Sequence, residues 1–282
     1  MILSRLLAPM PRAETLRSRA NPLYKRLRAL KERAGERDLC LLEGPRLVLE
    51  ALEAGLAVVE AAASGRAEAS PPGPAALAAL QQRGVPVRAM SAELVSSLSE
   101  AETSQGLVAL ARRPSFAEEA IFRGTPLLLV ADGIQNPGNL GGLLRTAEAA
   151  GASGAILARG CADPFSWKAL RGSMGSAFRL PHVRGLPIES ALDRLQARGV
   201  AVLATTADGE RRYDEADLRG PVAIVVGAEG AGLPAPILER AAARLRIPLR
   251  EPVESLNVGV AAALVLFEAA RQRGFRAARL GG

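Results

Sequence analysis

The chain has one histidine, two cysteines and very little lysine, and each scarcity removes a class of chemistry. A single histidine, His182, cannot build a multi-histidine metal site, so no metal is expected. It stands between Pro181 and Val183 with no motif around it, which leaves a Ser-His-Asp arrangement little to rest on. Cys40 and Cys161 lie far apart without CxxC spacing, arguing against a disulfide framework or a zinc knuckle. Two cysteines and no clear secretory signal point to a reducing, cytoplasmic compartment. No apolar run approaches the ~20 residues needed to span a bilayer, so no membrane association is expected. No Gly-Lys pair exists, and hence no Walker A phosphate loop. Aromatic residues make up 3% of the chain, too few for a base-stacking platform to dominate nucleic-acid recognition.

What is abundant is arginine. Only three of the 36 basic residues are lysine (Lys25, Lys31 and Lys168), and the formal net charge is +7 over 282 residues. Arginine presents a planar fork that grips phosphate and stacks on bases, so the excess raises the expectation of a polyanionic partner. An Ala/Leu/Arg-rich composition would produce the same balance with no partner at all.

Asn21 followed by Pro22 predicts a helix start, with Leu23, Leu27 and Leu30 on one face and Lys25, Arg26, Arg28, Lys31 and Arg33 on the other. Short apolar runs then alternate with helical stretches as far as residue 111, predicting a small sheet with helices on its faces. Residues 113–124 have no sustained period and read as a linker. They divide a first domain, 1–112, from a second, 125–282. The second alternates more regularly. Its strands, Leu127–Val130, Ala155–Leu157, Val200–Thr205, Val222–Val226 and Leu245–Ile247, predict a mostly parallel sheet with ligands outside the carboxyl ends of the strands.

Three loops in that half follow an apolar strand and open a helix. The first runs from Asn136 to Ala147, with a helix expected from about Leu140; its plain alternative is a glycine-rich turn beside a surface arginine. The second, Gly227-Ala228-Glu229-Gly230-Ala231-Gly232, has the order G-x-x-G-x-G, a weak match to a dinucleotide loop. The third runs from Ile247-Pro248 to Ser255-Leu256-Asn257-Val258, where Ser255 is placed to cap the last helix and Asn257 reads equally well as a second capping residue.

Taken together and in order, these segments resemble the SpoU/TrmH branch of the SPOUT RNA methyltransferases. The Asn-x-Gly-x-x-x-Arg-Thr-Ala pattern falls on Asn139, Gly141, Arg145, Thr146 and Ala147. The Gly-x-Glu-Gly-x-Gly pattern falls on Gly227, Glu229, Gly230 and Gly232, and the Ile-Pro with Ser-Leu-Asn-Val pattern on Ile247, Pro248, Ser255, Leu256, Asn257 and Val258. The resemblance spans roughly 125–275.

It implies an α/β parallel-sheet domain tied in a deep trefoil knot, with crossing loops at about 205–210, 227–233 and 247–256. It implies S-adenosylmethionine as methyl donor, bound through positions Thr205, Gly227, Ile247 and Leu256, and a ribose 2′-hydroxyl as acceptor. Asn139, Arg145, Glu229, Ser255 and Asn257 match the family's active-site residues. A guanidinium stays protonated at neutral pH, so a phosphate clamp and alkoxide stabiliser suits Arg145 better than a general base. The family acts as a homodimer, with Arg145 or its neighbours completing the partner's site. The stretch 163–179 matches a family segment near RNA, where Lys168 and Arg171 would meet phosphates; core packing is the plain alternative for Trp167 and Phe178.

The first domain resembles the small α/β/α RNA-binding domain carried by ribosomal-RNA members. Its marks are Glu43-Gly44 and Thr103-Ser104-Gln105-Gly106. This favours RNA contact by Arg17, Lys25, Arg26 and Arg28 over a merely solvated face. The expected substrate is structured RNA, ribosomal before transfer RNA. A resistance-type methyltransferase, an assembly factor without catalysis and an oxidoreductase using 227–232 stand as alternatives.

Overall fold

The computed structural model describes residues 15–32, 36–100, 103–228 and 232–274. The chain divides into two compact units. Of the described residues, one unit holds those up to Pro114 together with Phe165–Arg171, and the other holds those of Ser115–Pro164 and from Gly172 to Gly274.

The first unit opens with α1 (Pro22–Lys31). The Asn21 side chain accepts a hydrogen bond from Leu23 N at 2.9 Å, and Pro22 sits where a missing N–H costs nothing. There follow β1 (Leu39–Glu43), α2 (Pro45–Glu53), β2 (Val58–Ala63), α3 (Gly65–Ala69), α4 (Gly73–Gln82), β3 (Val87–Ala89), α5 (Ala92–Leu98) and β4 (Leu107–Arg112). The strand order is β1-β4-β2-β3; β4 runs antiparallel to both neighbours, and β2 and β3 are parallel. Leu23, Tyr24 and Leu27 pack with Leu41, Leu94, Val95, Val108 and Leu110 into one core. The two short marks meet here. Gly44 has φ +86°, and a Cβ on it would lie 2.9 Å from the Gln105 side-chain oxygen.

The second unit contains β5 (Leu127–Ala131), α6 (Pro137–Ala149), β6 (Gly154–Ala158), α7 (Trp167–Ser173, its first part counted with the first unit), α8 (Ser176–Arg179) and β7 (His182–Leu186). Then come α9 (Ile188–Ala197), β8 (Ala201–Thr205), β9 (Arg211–Arg212), β10 (Val222–Val226), α10 (Ala235–Arg240), β11 (Ala243–Arg246) and α11 (Val258–Gln272). The seven strands lie in the order β7-β6-β5-β10-β8-β11-β9, and every neighbouring pair is parallel. Every residue of β5 and β10 is buried, as expected of central parallel strands.

Several boundaries depart from the sequence expectation. Helix α6 starts at Pro137, because Asn136 caps it by accepting from Gly138 N (2.8 Å) and Asn139 N (3.2 Å). Asn139 is therefore in the first helical turn and not in the preceding loop. Helix α11 is capped by Asn257, which accepts from Gly259 N at 2.9 Å; Ser255 lies two residues before the cap. Strand β7 was not expected, since Arg184 and Gly185 break its apolar pattern at the sheet edge. Within 113–124, Glu118–Phe122 form a 3-10 turn, and Ile121 is buried in the core of the second unit. Among the described residues no helix is long and apolar enough to cross a membrane.

Candidate active site

Strands β10, β8 and β11 are neighbours in the sheet, and their carboxyl ends deliver three loops to one place. A cavity of about 520 Å³ lies there. After β8 it is walled by Thr205, Thr206, Ala207 and Asp208; after β10 by Gly227 and Ala228; after β11 by Ile247 and Leu249. The approach to α11 closes it with Glu254, Ser255 and Leu256. Val226, Leu233, Leu238, Val258 and Ala261 make the lining largely apolar. Two carboxylates, Asp208 and Glu254, belong to exposed residues of the wall.

Gly227 is required by close approach. The chain doubles back so that Ala228 and Gly232 form an antiparallel bridge, and a Cβ at 227 would lie 2.8 Å from Gly232 O and 2.7 Å from Leu233 Cδ2. Thr205 and Thr206 differ sharply. The Thr205 hydroxyl donates to Val225 O at 2.7 Å, tying β8 to β10. Among the described residues the Thr206 hydroxyl is buried without a hydrogen-bond partner. An unpaired buried hydroxyl costs about 1–3 kcal/mol, which marks the spot as one where a partner is missing. Thr206, Asp208 and Glu254 fall within the loops expected at about 205–210 and 247–256, but nothing in the sequence singled them out individually. They follow apolar strands or lie in a loop, where nothing in periodicity points to a cavity.

The cavity thus brings together Thr205, Gly227, Ile247, Ser255 and Leu256. It does not include Asn139, Arg145 or Asn257 among its lining residues. Asn139 and Arg145 lie on α6, which packs against α11, and Arg145 is exposed. Asn257 is at the cap of α11, between the lining residues Leu256 and Val258. Glu229, with its neighbour Gly230, lies outside the described residues.

The expected RNA-facing cations differ in their commitments. Arg26 is ion-paired with Glu36 at 2.5 Å and Arg28 with Glu32 at 2.7 Å, whereas Lys25 has no ion pair among the described residues. Lys31 donates to Ser97 O and Ser99 O, anchoring α1 to the end of α5. Arg17 and Arg171 are exposed, and Lys168 Nζ lies 5.7 Å from the Trp167 ring centre. Phe178 is buried, in keeping with core packing.

A parallel α/β sheet with an apolar cleft beyond the carboxyl ends of its strands defines a class, the α/β enzymes that hold nucleotide-like ligands at that position. Within it, the chain belongs to the SpoU rRNA methylase family, whose model matches residues 126–267. An MRM3-like substrate binding domain matches residues 21–109. The chain is 36% identical to the 23S rRNA (guanosine(2553)-2′-O)-methyltransferase RlmP of Bacillus subtilis, over 92% of this chain and 98% of that protein. Two solved structures with bound AdoMet are also similar. An rRNA methyltransferase from Sinorhizobium meliloti has TM-score 0.79 and 32% identity, covering 92% of this chain and 97% of its own. AviRb, a SpoU methyltransferase of Streptomyces viridochromogenes, has TM-score 0.78 and 30% identity, covering 90% of this chain and 98% of its own.

Proposed function

We propose that the chain transfers a methyl group from S-adenosylmethionine to a ribose 2′-hydroxyl of structured RNA, with ribosomal RNA as substrate. The observation that carries this is the cavity built from the three loops after β8, β10 and β11, in a chain similar along nearly its whole length to a 23S rRNA 2′-O-methyltransferase. The lining fits the donor. Apolar side chains suit an adenine ring, the unpaired Thr206 hydroxyl suits a polar atom of the ligand, and the Asp208 and Glu254 carboxylates suit its cationic groups.

When bound, S-adenosylmethionine supplies a methyl carbon made electrophilic by its sulfonium. The chain must hold the 2′-oxygen in line with that carbon and take up or stabilise the charge left as the hydroxyl proton departs. We assign the clamp on the adjacent phosphate and the developing alkoxide to Arg145, whose exposed guanidinium has no ion pair among the described residues. Asn139, Ser255 and Asn257, with Glu229, are the polar groups that orient the acceptor. Gly227, Ile247 and Leu256 bind the donor through main chain. The order β5-β10-β8, in which a late strand is inserted between two earlier ones, supports a knotted passage of the chain. The first unit holds the RNA through Arg17, Lys25, Arg26 and Arg28, and Lys168 and Arg171 add phosphate contacts. The working form is a homodimer in the cytoplasm.

Mapping of 2′-O-methyl sites in ribosomal RNA incubated with wild-type protein and with Arg145→Ala tests this. Expected are one new site with the wild type, a loss of about 10²-fold or more in rate for the variant, and donor affinity unchanged in both. Undiminished methylation by the variant would remove Arg145 from the mechanism, and no methylated site with the wild type would remove the reaction.

A further inference from the structure

The segment between β8 and β9 forms one wall of the cavity, and the chain leaving β11 forms another. What holds those walls together is a reciprocal clasp. The half-buried Arg246 reaches across with Nη1 to donate to Gly209 O at 2.8 Å and Glu210 O at 3.2 Å. In the opposite direction the Glu210 carboxylate accepts from Arg244 N at 2.8 Å and Arg244 Nε at 3.0 Å. These bonds, with the backbone N–H of Arg244 first, hold the Glu210 carboxyl down at about 2, so it stays charged throughout the working range. Between the two arms, Gly209 presses directly on β11. A Cβ there would lie 2.6 Å from Leu245 C and 2.7 Å from both Arg244 O and Arg246 N. Thr206 N, donating to Leu245 O at 2.9 Å, and the parallel pairing of β9 with β11 close the two ends of the seam.

The seam is thus pinned along its length, and its position sets where Thr206, Ala207 and Asp208 stand relative to Ile247 and Leu249. Arg246 is next in sequence to Ile247 and touches the chain next to Asp208. We infer that this clasp fixes the width of the donor cleft and that Arg246 is a positioning residue for the methyl donor. The inference rests on the proposed function, since it presupposes that the cleft holds S-adenosylmethionine. Arg246 acts through the main chain of 209–210 and needs no contact with the donor. A cleft whose walls drift apart loses donor affinity, while the reacting groups on α6 and at the cap of α11 are left where they were.

The experiment compares wild type, Arg246→Ala, Arg246→Lys and Glu210→Gln in calorimetric titration with S-adenosylmethionine, in RNA binding and in steady-state methyl transfer. For Arg246→Ala the donor Kd and the donor KM should rise about tenfold, the equivalent of losing one or two charge-assisted hydrogen bonds. RNA affinity and kcat at saturating donor should stay within about twofold. Arg246→Lys, which keeps a donor for one of the two carbonyls, should recover part of the loss. A purely structural role would lower the melting temperature and leave KM and Kd alone, so an unchanged donor Kd in folded Arg246→Ala overturns the inference. Should Arg246→Ala not fold, Glu210→Gln decides: a donor Kd raised about threefold supports the clasp, and an unchanged one overturns it. A wild type that binds no donor would instead overturn the functional reading beneath it.

Discussion

His182 is the only histidine in the chain, and it is buried, with Nδ1–H donating to Leu180 O at 3.0 Å and its ring 5.0 Å from that of Phe116. Burial disfavours the imidazolium and pushes its pKa below the ordinary 6.5, against the smaller opposing pull of the Leu180 carbonyl. Its contribution to stability is therefore complete above about pH 6.5 and is lost as pH falls from there through the folded pKa, because the unfolded chain takes up the proton more readily. With no other imidazole to confuse the signal, a proton NMR titration should give a midpoint below 6.5, and the melting temperature should fall over the same window. A midpoint at or above 6.5 would show that the ring is not held in its neutral form. At this scale the sequence was informative about which residues stand in the cavity wall, since Thr205, Gly227, Ile247, Ser255 and Leu256 line it. It was silent on what each hydroxyl does. That Thr205 is spent on Val225 O while its neighbour Thr206 has no partner among the described residues depends on side-chain direction at the end of one strand, which no motif encodes.

Among the elements, the continuous apolar strands were the easiest to read. Val222–Val226 needs no tertiary information, because five consecutive β-branched or small apolar residues have one sensible fate in an α/β chain. Helix starts were harder, because two polar residues in each of two loops competed for the capping position, Asn136 with Asn139 and Ser255 with Asn257. Asn136 and Asn257 took it, and for Asn257 the cap can be separated by mutation from the acceptor-orienting role proposed for its amide. Asn257→Ala should lose the bond to Gly259 N and cost about 1 kcal/mol, a fall of roughly 2–4 °C in melting temperature. Asn257→Ser keeps a capping oxygen but removes the amide. It should melt like the wild type and turn over at least about tenfold more slowly if the amide orients the acceptor. Wild-type turnover in the serine variant would reduce Asn257 to a cap.

The molecule as a whole shows why no single motif could have revealed the cavity. Its walls come from β10, β8 and β11, and their adjacency follows from insertion of β10 between β5 and β8 and from addition of β11 on the far side of β8, properties of strand order that periodicity does not carry. The same level of organisation bears on the proposed dimer. Helix α11 buries Val258, Ala262, Val265, Leu266 and Ala269 against its own unit, while Val260, Leu264 and Phe267 leave 50%, 36% and 47% of their surface exposed. The spacing of four and then three residues puts these three on one stripe, and Leu249 and Val253 add exposed apolar surface in the loop that precedes the helix. Covering side chains of this size gains roughly 0.7–1.5 kcal/mol each at half exposure, enough to favour association when doubled by a two-fold axis. A charge placed in the stripe reverses that gain, because an unpaired carboxylate would have to leave water. If the proposed dimer forms through this stripe, the wild type should sediment at twice 29.4 kDa and Phe267→Glu as a single chain, with the variant's melting temperature nearly unchanged, since Phe267 is half-exposed in the lone chain. If Arg145 completes the neighbouring protomer's site, methyl transfer should fall with the dimer fraction and recover when Phe267→Glu is mixed with a complementary Leu264→Lys chain. A wild type that sediments as one chain, or a monomeric variant with full activity, would mean that each protomer works alone and that the stripe serves some other contact.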